Sequence, residues 1–166
     1  SHPADLWIGY SLGSLWLLHH RVKFDPAPKF AFLAPIFGFT QEQELGGKTR
    51  RVQLDYLIKA LRREPSVTGI VNELHSSIEI TNDSFHLESR FNSEILTNGL
   101  EFLKSTTVNP EGVKSGLFLC GEDDILLDSS KIRNLLPQLE IIKSAGHHPG
   151  PLLKALADIV LSKAII

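Results

Sequence analysis

The feature that most constrains this chain is an apolar segment that ends in Gly9-Tyr10-Ser11-Leu12-Gly13 and runs directly into an apolar helical pattern. Residues 5–10 read as a buried strand, and Leu15, Trp16, Leu18 and His19 recur at helical spacing over 12–20. A serine flanked by glycines is common in loops, but on a sharp strand-to-helix turn it acquires a chemical meaning. The turn lifts the hydroxyl above the sheet, and the glycines leave room for the neighbouring backbone. The N–H of Leu12, at the helix N-terminus, points at a developing oxyanion.

Three further apolar segments, 29–34, 115–120 and 139–143, read as buried parallel strands, each followed by a turn or helix signal. Pro26 and Pro28 break the chain before the second of the four strands. After Pro149 and Pro151, Leu152, Leu153, Leu156, Ile159 and Val160 share one helix face. Strand, helix and strand at both ends of the chain imply an α/β layer architecture with crossover connections.

The middle differs. No strand pair is evident from Phe37 to Thr107, whereas Leu54, Leu57, Ile58 and Leu61 follow helical spacing. Leu87, Phe91 and Ile95 mark another face, with Ser84 as N-cap and Gly99 as C-cap. The expected organisation is a core formed by 1–36 and 108–166, with 37–107 inserted as a helical lid.

A serine hydroxyl needs a base to become a nucleophile, and the base needs an orienting acid. Gly121-Glu122-Asp123-Asp124 follows the third strand, and Gly146-His147-His148-Pro149 follows the fourth. Three strand-end loops thus carry serine, acid and histidine in the order that strand–turn–helix hydrolases use. Asp124 is the favoured acid, with Asp123 and Asp128 as the other candidates; Asp128, before Ser129 and Ser130, also reads as a helix N-cap. His147, directly after Gly146, is the favoured base, with His148 beside it.

The remaining histidines carry less. His19 and His20 end a helix, where the dipole favours a cation, and His2, His75 and His86 have no partners at ligand spacing. No metal site and no cofactor are expected. Cys120, alone of its kind, excludes an internal disulfide and reads as a small buried apolar residue. A net charge of −2 leaves no nucleic-acid footprint, and no apolar run reaches the roughly 18 residues of a membrane span. The composition therefore predicts a soluble cytoplasmic protein. Within it, Lys48, Arg50, Arg51, Lys59, Arg62 and Arg63 concentrate positive charge in the first lid segment. The bland reading is a solvated face with Asp55 pairing Arg51 and Lys59; the functional one is an acidic partner docked there.

These motifs together resemble the α/β-hydrolase fold: a mostly parallel sheet with a helical lid inserted between its second and third strands present here. Within that fold, residues 6–13, Leu-Trp-Ile-Gly-Tyr-Ser-Leu-Gly, resemble the pimeloyl-[acyl-carrier protein] methyl ester esterases of biotin synthesis. Residues 98–104, Asn-Gly-Leu-Glu-Phe-Leu-Lys, resemble the lid-to-core return of that family. Asp124 and His147 match its acid and histidine, the latter with His148-Pro149 following. The resemblance implies a serine carboxylesterase that hydrolyses the methyl ester of pimeloyl-acyl carrier protein. It also implies docking of an acidic carrier protein on lid arginines, for which Arg51, Lys59, Arg62 and Arg63 are the candidates. Members of that family place several strands before the nucleophile strand. Those strands would pair along residues 5–10 and supply a second oxyanion N–H, a donor worth on the order of 10²–10³ in rate. The expectation is accordingly a fragment, a processed product, or an oligomer or assembly that completes the sheet.

Overall fold

The computed structural model describes residues 6–21, 29–63, 92–113 and 115–164. They form a four-stranded, wholly parallel sheet in the order β1 (Trp7–Tyr10), β2 (Phe30–Leu33), β3 (Leu117–Gly121), β4 (Leu139–Ile142). The strands are those expected, shorter by one or two residues at most ends, with β3 running one residue further, to Gly121. Every residue of β2 is buried, as a strand covered on both faces requires. Phe32 stacks on Phe118 of β3 with ring centroids 4.8 Å apart, at the centre of the core.

Helix α1 (Leu12–His20) follows β1 and buries Leu15, Leu17 and Leu18. Between β2 and β3 the chain forms α2 (Arg51–Arg63) and α3 (Ser93–Ser105), which pack on each other. Leu54, Ile58 and Leu61 are the buried row of α2, as their spacing requires. Helix α4 (Ser129–Leu135) connects β3 to β4, and α5 (Pro149–Ala164) lies against β2, β3 and β4, burying Leu152 and Leu156. Asp128 caps α4, its Oδ1 accepting the Lys131 N–H at 2.9 Å.

Local signals misplace three features of the inserted segment. Gly99 does not end a helix: α3 runs through it to Ser105. Its start is set by Asn92, whose Oδ1 accepts the N–H groups of Glu94 (2.9 Å) and Ile95 (3.3 Å). Tertiary packing overrides the roughly 1 kcal/mol cost of an interior glycine; a Cβ at Gly99 would sit 3.4 Å from Leu12 Cδ2. Ser84, Leu87 and Phe91 lie outside the described residues. Asp55 pairs with Lys104 of α3 at 3.1 Å rather than with Arg51 or Lys59, and Lys104 also meets Glu101 at 2.6 Å. Arg62 reaches the same Glu101 at 3.2 Å, so charge links α2 to α3. Finally, the segment is not free of strand-like pairing: Thr40 bridges Thr49, and Gly47 bridges Leu127.

All four strands run in one direction, so the loops after β1, β3 and β4 emerge on the same edge of the sheet. Ser11, Asp124 and His147 lie in those loops.

Candidate active site

The turn after β1 is strained. Ser11 has φ 51° and ψ −119°, a conformation L-residues rarely adopt and one that costs on the order of 1–3 kcal/mol. It is held on both sides. The Ser11 N–H continues the sheet ladder to Leu33 O at 3.0 Å, and Ser11 O accepts the N–H groups of Ser14 (2.9 Å) and Leu15 (3.2 Å). Gly9 is required here, since a Cβ would lie 2.8 Å from Leu17 Cδ1 and 2.9 Å from both Gly13 O and Ser14 Cα. Gly13, expected to serve the same purpose, faces open space on the exposed side of α1, with nothing within 4 Å of an added Cβ. The N–H of Leu12, first in α1, donates to no backbone carbonyl among the described residues and lies beside the serine.

The serine, the acid and the histidine come together in one chain of hydrogen bonds. Ser11 Oγ lies 2.9 Å from His147 Nε2, and His147 Nδ1 lies 2.8 Å from Asp124 Oδ2. A carboxylate can only accept, so Nδ1 carries the proton and Nε2 is left to accept from the serine hydroxyl. Asp124 and His147 are both buried, at 1% and 3% exposure, which removes competing water from the pair. The second oxygen of Asp124 is also occupied, accepting Leu126 N–H at 2.8 Å and Leu127 N–H at 3.0 Å. The alternatives separate by geometry. Asp123 is exposed, Asp128 caps α4, and His148 turns outward to accept the Gly150 N–H at 3.0 Å. Gly121 admits the crossing of the two loops, because a Cβ there would overlap the carbonyl oxygens of Ala145 and Gly146.

Two supporting side chains escaped the sequence reading. Tyr10, between the first glycine and Ser11, donates its hydroxyl to His147 O at 2.8 Å, and its ring lies 5.5 Å from the imidazole. Burial, with the charge of Asp124 adding to it, pushes the Tyr10 phenol up to about 12, so it remains a neutral donor. Ser14, fully buried, donates to Ser11 O at 2.6 Å, lies 3.3 Å from Ala34 O and accepts Ile36 N–H at 3.1 Å. It thereby ties the turn at Ser11 to the segment after β2. Its one legible signal is a hydroxyl on the buried face of an otherwise apolar helix.

Cys120 is fully buried beneath the acid, its Sγ 4.0 Å from Asp124 Oδ2. Burial first, and the Asp124 charge second, push its thiol from 9.0 up to about 12. The folded-state value lies above the unfolded one, so the stabilisation from a neutral thiol is complete below pH 9.0 and is lost as pH rises toward about 12. Iodoacetamide at about pH 8 is expected to leave Cys120 unmodified in the folded chain and to alkylate it after denaturation; mass spectrometry reads the difference.

The basic side chains Arg51, Lys59, Arg62 and Arg63 are all exposed on α2. Among the described residues, no group of histidine, cysteine and acidic side chains is placed to hold a metal ion, and no helix is long and apolar enough to cross a membrane.

The sheet, its crossovers and the three loops at one edge define the α/β-hydrolase fold. An esterase from Exiguobacterium antarcticum matches with a TM-score of 0.69 at 13% identity, over 96% of this chain and 66% of its own. A thermophilic esterase from Thermogutta terrifontis matches at TM-score 0.64 and 15% identity, over 96% of this chain and 64% of its own. An N-acyl homoserine lactonase matches at TM-score 0.60 and 16% identity, over 95% of this chain and 61% of its own. The chain therefore spans slightly less than two thirds of the length of these structures. No protein-family model matches the chain, and no curated protein matches it significantly.

Proposed function

We propose that this chain carries the catalytic centre of a serine carboxylesterase, with Ser11 as nucleophile, His147 as general base and Asp124 as orienting acid. The observation that carries the reading is the continuous relay from Ser11 Oγ through His147 to Asp124, at 2.9 and 2.8 Å. Ser11 attacks the ester carbonyl carbon while its proton passes to His147 Nε2. Asp124, fixed by two backbone N–H groups, holds the ring and stabilises the imidazolium. The Leu12 N–H donates to the oxyanion. His147 then protonates the departing alkoxide, and water, activated by the same nitrogen, releases the acid from Ser11.

The finer reading takes its substrate from the resemblance: the methyl ester of pimeloyl-acyl carrier protein, an intermediate of biotin synthesis, with methanol released. The exposed cations of α2 support it, since Arg51, Lys59, Arg62 and Arg63 present a positive face suited to an acidic carrier, the segment from Phe37 to Thr107 acting as a lid. The test compares carrier-bound and free methyl esters. Lys59→Glu with Arg63→Glu is expected to lower kcat/KM about tenfold or more for the carrier-bound ester and to spare the free one, with the difference shrinking at high salt. Equal turnover of both substrates, insensitive to these changes, points instead to a general carboxylesterase or thioesterase. A second reading rests on β1, the edge of the described sheet, where Ile8 is 47% exposed. There the same centre works only when further strands, in the same protein or a partner, lie along β1.

A further inference from the structure

We propose that Lys48 is a positioning residue for the Asp124–His147 pair, its ammonium holding the main-chain carbonyl of the acid from a strap that crosses the acid loop. The proposal deepens the esterase reading and rests on it. Residues 46–48 run along residues 126–128: Asp128 N–H donates to Gly46 O at 2.7 Å, Gly47 pairs antiparallel with Leu127, and Lys48 N–H donates to Leu126 O at 2.9 Å. Lys48 Nζ reaches past this ladder to Asp124 O at 2.6 Å.

The acid loop is thus gripped from two sides. Its own amides at Leu126 and Leu127 fix the carboxylate of Asp124, and the strap fixes the main chain at 124, 126 and 128. Without the ammonium, the Asp124 carbonyl loses its charge-assisted partner at the residue whose carboxylate sets the angle of His147. Other polar groups facing the pair are the Tyr10 phenol, the Ser11 hydroxyl and the Cys120 thiol, with the Asp128 carboxylate further along the loop. None of these four supplies a cation, and Lys48 does. Its charge also reaches the Cys120 thiol, where it opposes the upward push of burial and of Asp124. Two residues, Thr49 and Arg50, separate the strap from α2 at Arg51, so it couples the inserted helices to the geometry of the acid.

The test uses Lys48→Met and Lys48→Arg in the full chain, with hydrolysis of p-nitrophenyl butyrate and the downfield proton resonance of the His147 Nδ1–H. Lys48→Met is expected to lower kcat about tenfold with KM changed less than about twofold, the size of one partly exposed charge-assisted hydrogen bond. It should also shift or broaden the Nδ1–H resonance, and Lys48→Arg should restore both, kcat to within about threefold of the parent. An unchanged kcat, an unchanged resonance, a rise in KM alone, or a failure of arginine to rescue would each overturn the proposal. Absence of hydrolysis by the parent chain would sink the reading in which this chain is an esterase by itself and favour the one that needs strands along β1, and the resonance would still decide the role of Lys48.

Discussion

Ser11→Ala is expected to lower ester hydrolysis about 10⁶-fold while leaving the fold intact. Alanine keeps the Cβ, so the strained backbone at φ 51° and its hydrogen bonds to Leu33, Ser14 and Leu15 are retained. What disappears is the oxygen that forms the acyl-enzyme and the proton that His147 receives. Residual catalysis from the Leu12 N–H and substrate binding is far smaller than the two-step path through the serine. Steady-state hydrolysis of an activated ester, beside a thermal melt of the same preparation, separates chemistry from folding. A variant that melts like the parent and keeps more than about a hundredth of its activity would contradict the role of Ser11.

Asp124→Asn is expected to cost about 10⁴-fold in kcat, for a different reason. Oδ1 accepts from Leu126 and Leu127, which no amide nitrogen can do, so the asparagine oxygen must take that side. The NH₂ then faces His147 Nδ1 and forces that nitrogen to accept. The ring proton moves to Nε2, the nitrogen that must receive the Ser11 proton, and the base is blocked. Geometry and burial change little, so the melting temperature should fall only slightly. Asp124→Ala behaves otherwise. It leaves two buried N–H groups and the imidazole unpaired, each worth about 1–3 kcal/mol, and should destabilise as well as inactivate. Measuring kcat and thermal stability for both variants distinguishes an orienting acid from a merely structural carboxylate: similar melts with similar residual rates would contradict this account.

Much of the site was legible because its logic is local and ordered. Ser11 sits where an apolar strand meets an apolar helix, and Asp124 and His147 each follow an apolar strand, so chain order alone places all three loops on one sheet edge. The choice of Asp124 over Asp128 was legible too, since a following Ser-Ser marks Asp128 as a cap. Tyr10 and Lys48 were not, because their partners lie 137 and 76 positions away, and Ser14 offered only a hydroxyl on an apolar helix face, with no sign of its bond to Ile36 22 positions on. Gly99 shows the opposite failure: a glycine after an apolar run reads as a helix end, yet α3 packs on α2 and continues through it. Asp55 errs in the same way, finding Lys104 across a helix pair instead of a cation one turn away. Spacing predicts the buried row of α2, but Leu153 and Val160, expected on the apolar face of α5, are exposed, and charged side chains choose among neighbours that only the packed helices bring near.

Whether Ser11, His147 and Asp124 act as one nucleophilic unit is read most directly from reaction of the folded chain with a fluorophosphonate, the modified residue mapped by mass spectrometry. Stoichiometric labelling at Ser11, lost in His147→Ala, is the expected result. A folded chain that stays unlabelled, or one labelled elsewhere, would contradict it.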